Sequence, residues 1–281
     1  MSFNRSNIAN GHLGALPLIV TLAIIVLASD AFSGEEPPDL VTDRPTKAAH
    51  TAIVPPGYVL WESGFKFSRD DESGSRSDEF EFLDSVFRIG LAKKAELRLG
   101  WLSGKWKKSR TANSTDKSSG IGDATLGLKV RLRDEGSYAP AMALIIATTL
   151  PVGDDEFSSE RSDPSATVAF SHALPHNLGL VYNLGLEASS GRNSAGDKKT
   201  DTIFSYSAAL SYGGNPLASP YIEAFGETPI DGSGNTDFSI GGGLTSLLLP
   251  NIQLDASGGV GLTGSTTDWF VGIGFSVRLP R

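Results

Sequence analysis

The sequence predicts an all-β fold, a closed antiparallel up-and-down transmembrane β-barrel of about twelve strands. Three observations support this prediction: apolar and polar residues alternate along most of the chain, long connections alternate with short ones, and the chain begins with an export-type segment. Alternation with a period of two is typical of a strand whose two faces meet different surroundings. No stretch of the sequence has the spacing of an amphipathic helix.

The stretch 120–135, GIGDATLGLKVRLRDE, has the clearest alternation. Its apolar positions are Ala124, Leu126, Leu128, Val130 and Leu132, and its cations are Lys129, Arg131 and Arg133. In a soluble sandwich the apolar face would pack inward and the cations would point into bulk water. In a membrane barrel the apolar face would contact lipid and the cations would line the lumen.

Stretches of this kind cover nearly all of the chain after residue 58. They are 59–67, 83–91, 95–101, 124–132, 139–150, 165–174, 177–188, 202–212, 217–227, 237–248, 251–263 and 268–279. The stretch 139–150 is apolar on both faces and is also compatible with a buried helix. Its β-branched residues and its neighbours favour a strand.

The lengths of the connections distinguish between rival β architectures. The segments 68–79, 103–120 and 151–165 are long, whereas 92–94 and 175–177 are short. Successive connections of a meander lie at alternate ends, so the long loops collect at one end, as in outer-membrane barrels. The Greek-key connections of a sandwich mix the two ends. Because open sheet edges are not viable in lipid, we expect the sheet to close.

The N-terminal region has the three parts of a secretory signal peptide. Arg5 supplies a positive charge, 13–28 is a continuous apolar run, and the small residues at 29–31 suit cleavage after Ala31. Cleavage after Ser33 and an uncleaved membrane anchor are the alternatives.

The chain therefore divides into three parts. We predict a signal peptide over 1–31, an irregular proline-rich segment over 32–57, and the barrel over 58–281. Export and an even number of strands predict a location in the bacterial outer membrane, with both termini in the periplasm.

Composition and charge exclude several classes of chemistry. The chain has no cysteine and a formal net charge of −8. The lack of cysteine excludes disulfides and cysteine metal sites, and the acidic balance argues against a nucleic-acid partner. No pattern implies a metal or a cofactor. The predicted partners are outer-membrane lipid, the barrel-assembly machinery and a small-molecule permeant of unknown identity.

Charged residues on the polar faces of the strands are predicted to line the lumen. An Arg or Lys that faces lipid at mid-depth costs about 2–4 kcal/mol. We therefore expect the face of each strand that carries the charges to point into the lumen. The predicted pore-lining residues are Glu62, Lys66, Asp84, Arg88, Glu96, Arg98, Asp123, Lys129, Arg131, Glu187, Glu223 and Asp255. They form either a structural ion-pair network or a polar constriction that selects a permeant. A one-residue slip in register would invert every assignment.

Asp43 and Arg44, in the TDRP stretch just before the first strand, are candidate plug residues. Eight strands give an interior that side chains fill and sixteen leave an open channel, so about twelve strands enclose a narrow lumen. The segment 35–55 is long enough to fold back into such a lumen. A plain periplasmic tail is the alternative, and the sequence does not decide between them.

Several short motifs resemble a known family of outer-membrane β-barrel proteins. They are TDRPT (42–46), VPPGYVLWESGF (54–65), LRLGW (97–101), GIGDATLGLKVRL (120–132), LPVGD (150–154) and DWFVGIGFSVR (268–278). The family is called "putative MetA-pathway of phenol degradation" or simply "transporter". The resemblance implies an outer-membrane barrel and an association with the degradation of aromatic compounds. The chain departs from many such barrels because it ends in SVRLPR, without the terminal aromatic residue that the assembly machinery reads.

We therefore predict a channel or transporter for passive uptake or efflux of small molecules, which the resemblance suggests are aromatic or hydrophobic. One alternative is a plugged barrel with a structural or surface-adhesion role. Another is a membrane-embedded lipid-modifying enzyme, which would need a Ser or Asp close to His50, His172 or His176. We predict no enzymatic activity, because the sequence contains no nucleophile-elbow motif.

Overall fold

The computed structural model describes residues 38–280, apart from 73, 193–197, 231, 233 and 265. The predicted signal peptide, 1–31, lies outside the described residues. Within the described part of the chain, no helix has the length and apolar character needed to cross a membrane.

The described chain forms one antiparallel sheet of thirteen strands. They are β1 (Val59–Glu72), β2 (Ser75–Ala92), β3 (Ala95–Arg110), β4 (Thr115–Gly120), β5 (Ala124–Arg133), β6 (Ala141–Leu150), β7 (Pro164–Leu174), β8 (Leu178–Arg192), β9 (Lys198–Tyr212), β10 (Ser219–Pro229), β11 (Asp237–Leu249), β12 (Ile252–Gly261) and β13 (Trp269–Leu279). The first strand pairs with the last, from Val59↔Leu279 to Arg69↔Trp269, so the sheet is closed.

Twelve of these strands form the barrel wall, and β4 extends one hairpin. Strand β3 pairs with β5 over 95–101 and with β4 over 105–110. Together β4 and β5 therefore run beside β3 as one strand, interrupted at 121–123. The prediction of a closed up-and-down barrel is confirmed. The ambiguous segment 139–150 forms strand β6.

The connections lie at two distinct ends of the barrel. The turns 93–94, 175–177 and 250–251 mark the short-turn end, where β13 also finishes. The hairpin tip at 111–114 and the loop 151–163 mark the long-loop end.

Two of the long connections are strands rather than loops. The β1–β2 ladder continues to Glu72↔Ser75, and the β3–β4 ladder continues to Arg110↔Thr115. Sequence reasoning missed these extensions because charged residues occupy both of their faces, which is the pattern of hairpins that project beyond the lipid. The expectation of a long loop over 103–120 is therefore wrong, because most of this segment belongs to the β3–β4 hairpin.

A β-bulge changes the phase of β2. The register of the β1–β2 ladder shifts between Gly64 and Phe65, so that Leu83 is the extra residue of β2, with a φ of 51°. Because of this bulge, Glu81 and Asp84 both line the lumen although they are three positions apart.

The outer face of the barrel is apolar and the inner face is polar. Ile146, Ile222 and Ile273 lie on three different strands and are 54%, 66% and 61% exposed. Leu128 of β5 is also exposed, whereas the neighbouring Lys129 is fully buried inside the barrel. This arrangement is the reverse of a soluble protein, and it is typical of a barrel whose apolar side chains contact lipid.

Candidate functional site

Residues 38–57, which we call the N-terminal segment, fold back into the barrel. At the short-turn end, Nη1 of Arg278 donates a hydrogen bond to the carbonyl oxygen of Pro38 at 2.6 Å. The segment then rises along the lumen and returns to the same end, where the backbone N–H of Gly90 donates to the carbonyl oxygen of Tyr58 at 3.0 Å. In between, the hydroxyl groups of Thr51 and Ser171 are 2.6 Å apart.

Asp43 is the centre of an ion-pair network inside the barrel. Its carboxylate lies 2.6 Å from Nη1 of Arg98, 3.3 Å from Nζ of Lys129 and 3.4 Å from Nη1 of Arg88. Its backbone N–H donates to Oε1 of Glu62 at 2.7 Å. One residue of the N-terminal segment thus joins four strands, β1, β2, β3 and β5.

Arg88 and Glu96 form a fully buried pair in this network. Nε and Nη2 of Arg88 donate to the two carboxylate oxygens of Glu96 at 2.8 and 3.1 Å, and neither side chain is exposed. Both residues also hold the returning part of the segment. Arg88 donates to the carbonyl oxygen of Ala52 at 2.9 Å, and Glu96 accepts the backbone N–H of Val54 at 2.8 Å.

Arg44 is held by a carboxylate and by two glycines. Its Nη2 and Nε lie 2.9 and 3.2 Å from the two carboxylate oxygens of Asp255 on β12. Its guanidinium lies directly on Gly64 of β1 and Gly274 of β13, which pair with each other across the two strands. A Cβ atom at either glycine would overlap the guanidinium. Glycine at these two positions therefore leaves room for the close approach of Arg44.

A cavity of about 490 Å³ lies between the N-terminal segment and the long-loop end. The segment forms its floor with residues 43–47 and 49. Its walls carry charged and aromatic side chains, among them Lys66, Glu81, Asp84, Glu223, Glu227, Asp237, Phe225 and Phe270.

Two of the wall carboxylates, Glu223 and Asp237, differ in their hydrogen-bond partners. The backbone N–H of Lys47 donates to Oε2 of Glu223 at 2.8 Å, while its ammonium group lies 5.7 Å from the ring centre of Phe225. Oδ1 of Asp237 is buried and has no hydrogen-bond partner in the described structure. In the described structure, the wall of the cavity therefore contains a buried carboxylate oxygen whose capacity to accept a hydrogen bond is unused.

Most of the predicted pore-lining residues face the N-terminal segment or the cavity. Those in contact with the segment are Glu62, Arg88, Glu96, Arg98, Lys129, Arg131, Glu223 and Asp255. Lys66 and Asp84 line the cavity. Glu187 lies on β8, opposite Ser165 and Ile203.

Asp123 lies elsewhere, at the break between β4 and β5 on the long-loop rim. Its carboxylate accepts the backbone N–H groups of Gly153 and Ser159 at 2.9 and 2.8 Å. Asp123 thus anchors the loop 151–163 to the rim.

Sequence reasoning did not identify the neutral residues that hold the segment. Gln253 donates to the hydroxyl of Thr42 at 2.8 Å. The amide of Asn183, with its oxygen and nitrogen assigned to fit their surroundings, pairs with both backbone groups of Ala49 at 2.7 and 3.0 Å. The sequence signal for such residues is an uncharged amide at an inward position of a strand whose other residues are mostly small or apolar.

The chain also matches a family of known proteins. The family described as "Putative MetA-pathway of phenol degradation" matches residues 42–279. The chain belongs to this family. The matched region starts at the TDRPT stretch, so family membership covers the segment inside the lumen as well as the barrel wall. No curated protein matches the sequence.

Solved structures share the fold at low sequence identity. An outer-membrane channel from Pseudomonas putida F1 superposes with a TM-score of 0.64 at 14% identity, covering 84% of this chain and 100% of that one. The NanC porin gives a TM-score of 0.50 at 10% identity, over 79% and 100%. The translocator domain of the autotransporter NalP from Neisseria meningitidis gives 0.50 at 11% identity, over 94% and 97%. The fold is therefore that of outer-membrane barrels.

Proposed function

We propose that this protein is a passive outer-membrane channel for small molecules, in which the N-terminal segment closes the lumen at rest. The single observation that carries the proposal is the position of the cavity. It extends from a floor formed by the segment to Thr266 and Thr267, close to the long-loop end. A molecule that enters from the long-loop end reaches a defined chamber but must displace part of the segment to pass further.

Burial of the inward-facing residues supports closure below that floor. Each strand of the barrel wall has at least one inward-facing residue that is less than 10% exposed. Arg88, Glu96, Lys129 and Ser276 have no exposed surface at all. Charged side chains around a hydrated lumen would keep contact with water, so the segment and its partners fill this level of the barrel.

The walls of the cavity favour small aromatic molecules that also carry a hydrogen-bonding group. The rings of Phe225 and Phe270 lie 6.2 Å apart and offer apolar surfaces for stacking. The carboxylates around them accept hydrogen bonds from a hydroxyl or amino group. The family's association with aromatic degradation points to the same class.

The two ends of the barrel support one orientation in the membrane. The described chain begins and ends at the short-turn end. Short turns face the periplasm in outer-membrane barrels, so we place both termini there and the cavity on the cell surface. Cysteine introduced at Asn113, in the hairpin tip at 111–114, should react with a membrane-impermeant reagent on intact cells, whereas cysteine introduced at Lys93 should not.

Single-channel conductance tests the proposal. The mature protein, a variant lacking residues 38–52 and a Lys93→Gln control are refolded and inserted into planar bilayers. We expect brief, small openings for the mature protein and for the control, and a larger and steadier conductance for the deletion variant. Stable insertion of the deletion variant without conductance would contradict a channel.

A plugged barrel with a structural role is the second candidate. It is favoured by the number of strands that bind the N-terminal segment, which include β7, β8 and β13 in addition to the charged wall. The deletion experiment distinguishes the two functions, because only a channel is expected to gain conductance when residues 38–52 are removed.

An enzymatic function has less support. The backbone N–H of His50 donates to Oδ1 of Asp43, and Nδ1 of His50 accepts the backbone N–H of Ala52. His172 stacks on the ring of Tyr182 at 6.2 Å. In the described part of the chain, we find no histidine side chain hydrogen-bonded to a serine hydroxyl or a carboxylate.

A further inference from the structure

The extended hairpins carry a basic outer surface beyond the membrane-spanning part of the barrel. Five cations lie on this surface, which we call the basic face: Arg69, Arg76, Lys108, Arg110 and Lys117. They come from β1, β2, β3 and β4, the four strands that form the two projecting hairpins.

Strand register fixes the direction in which this face points. Lys66 and Glu81 line the cavity inside the barrel. Arg69 and Asp78, three positions further along β1 and β2, are paired with each other and lie on the opposite face. Lys108 pairs with Asp78 across β2 and β3 and shares that outer face.

Two pairs of like charges lie directly opposite each other on the basic face. Lys108 pairs with Lys117 across β3 and β4, and Arg76 pairs with Arg110 across β2 and β3. Like charges at directly opposed positions destabilise a sheet. An anion bound between them would remove this repulsion.

The carboxylates on the same face do not neutralise it. Asp71 and Asp78 each pair with one of the arginines, at 2.8 and 2.6 Å. In the part of the chain that the structure describes, the remaining three cations of the basic face have no ion-pair partner.

A row of aromatic residues lies one step below the cations, toward the barrel. Phe67, Phe80 and Trp106 are neighbours across β1, β2 and β3. The guanidinium of Arg69 lies 5.7 Å from the ring centre of Phe67 and 5.5 Å from that of Trp269. Aromatic girdles mark the membrane interface of such barrels. Two residues along a strand correspond to about 7 Å, which puts the cations at the depth of lipid headgroups.

We propose that the basic face binds the phosphate groups of a phosphorylated glycolipid, lipopolysaccharide, in the outer leaflet. The inference rests on the proposed orientation, in which the long-loop end faces the cell surface. Arginine and lysine are the side chains that bind phosphate oxygens most strongly. The aromatic row provides the adjoining surface for the acyl chains. Lipopolysaccharide therefore matches both the cations and the aromatic row.

Binding of purified diphosphorylated lipid A to the full-length mature protein in detergent tests the proposal. Native mass spectrometry measures the bound fraction for the wild-type protein and for the triple variant Lys108→Gln, Arg110→Gln, Lys117→Gln. These side chains contact no residue of the lumen network, so the barrel should fold normally. We expect binding to the variant to be weaker by at least about tenfold. We also expect chemically dephosphorylated lipid A to bind the wild-type protein as weakly as the variant binds the intact lipid.

The control is Lys93→Gln together with Lys94→Gln, which removes exposed cations at the short-turn end and should leave binding unchanged. Equal binding of lipid A to the triple variant and the wild type would overturn the proposal. Equal binding of dephosphorylated lipid, or of phosphatidylglycerol, would also overturn it. The binding assay does not depend on transport. A barrel that conducts no ions but still binds lipid A would therefore contradict the channel function and support the proposed lipid site.

Discussion

Arg44 of the N-terminal segment and Asp255 of β12 form a bidentate ion pair, with nitrogen–oxygen distances of 2.9 and 3.2 Å. The two residues are 211 positions apart in the chain. This contact ties Arg44 to β12, which only β13 separates from β1 and the Asp43 network. The segment is thus held by two attachments, and either can be tested separately.

Asp255→Asn should loosen the upper part of the segment. The amide keeps the size of the side chain but removes the charge that holds Arg44. We expect more frequent channel openings in planar-bilayer recordings, with unchanged insertion. Glu227→Gln is the matched control, since Glu227 lines the same cavity and makes no hydrogen bond or ion pair with the segment in the described structure. An identical opening frequency in wild type and Asp255→Asn would show that Arg44 does not limit opening.

Gly64→Ala should displace Arg44 by steric overlap. The added Cβ would occupy the position of the guanidinium, so we expect faster proteolysis of the N-terminal segment and more frequent openings. Gly104→Ala is the control, because its Cβ would meet Phe82 at an ordinary 3.5 Å. The double variant Gly64→Ala, Arg44→Ala removes the overlap and should have no further effect beyond Arg44→Ala alone. Additive effects of the two substitutions would contradict this explanation.

Arg88→Met should destabilise the folded barrel more than any exposed charge substitution. Removing Arg88 leaves Glu96 and Glu62 buried without their main partner, and breaking a buried pair in this way costs about 3–5 kcal/mol. Urea titration of the protein refolded in lipid vesicles measures the loss in the free energy of unfolding. Lys66→Met breaks the half-exposed pair with Glu81 and should cost less than about 1 kcal/mol. Similar losses for both variants would mean that the lumen network is hydrated.

The loop 151–163 should stay anchored at neutral pH and detach only in strong acid. Burial raises the pKa of Asp123, but the N–H groups of Ser159 and Gly153 outweigh it and bring the pKa below the ordinary value of 3.8. A carboxyl group with a lowered folded-state pKa stabilises the fold above its unfolded pKa, and this contribution is lost as the pH falls through the folded pKa. We therefore expect the loop to remain attached down to about pH 4.

Hydrogen exchange of the Gly153 and Ser159 amides, corrected for the intrinsic pH dependence, measures this attachment. Asp123→Asn should increase exchange of both amides at pH 7. Asp155→Asn, in an exposed position of the same loop, should not. If the Asp155 variant loses protection to the same degree, general charge rather than the Asp123 anchor holds the loop.

The barrel wall could be predicted from the sequence because each strand meets lipid on one side and a polar interior on the other. That contrast imposes alternation on most strands, so the strand number follows from the pattern, and closure follows because open sheet edges are not viable in lipid. The bulge at Leu83 leaves no such signal, because a single inserted residue changes the phase without changing composition. The β3–β4 extension was hidden for a related reason, since beyond the lipid both faces are polar.

The contacts of the N-terminal segment could not be predicted in the same way. Asp43 and Arg44 were recognisable as charges close to the first strand, but an irregular segment has no period from which to deduce its partners. Asp255 is far from Arg44 in sequence, and Gly64 and Gly274 resemble any other strand glycines. Their roles depend on where the segment crosses the lumen, which only the three-dimensional arrangement defines.

The partners of the N-terminal segment extend along the chain from Glu62 to Arg278. Arg44 needs both Gly64 of the first strand and Gly274 of the last, so its site exists only after the barrel has closed. The segment is made first and can take its place only at the end of folding. Sealing of the lumen therefore requires closure of the wall, and a barrel that stops short of closure leaves its N-terminal segment without a complete binding site and accessible to proteases.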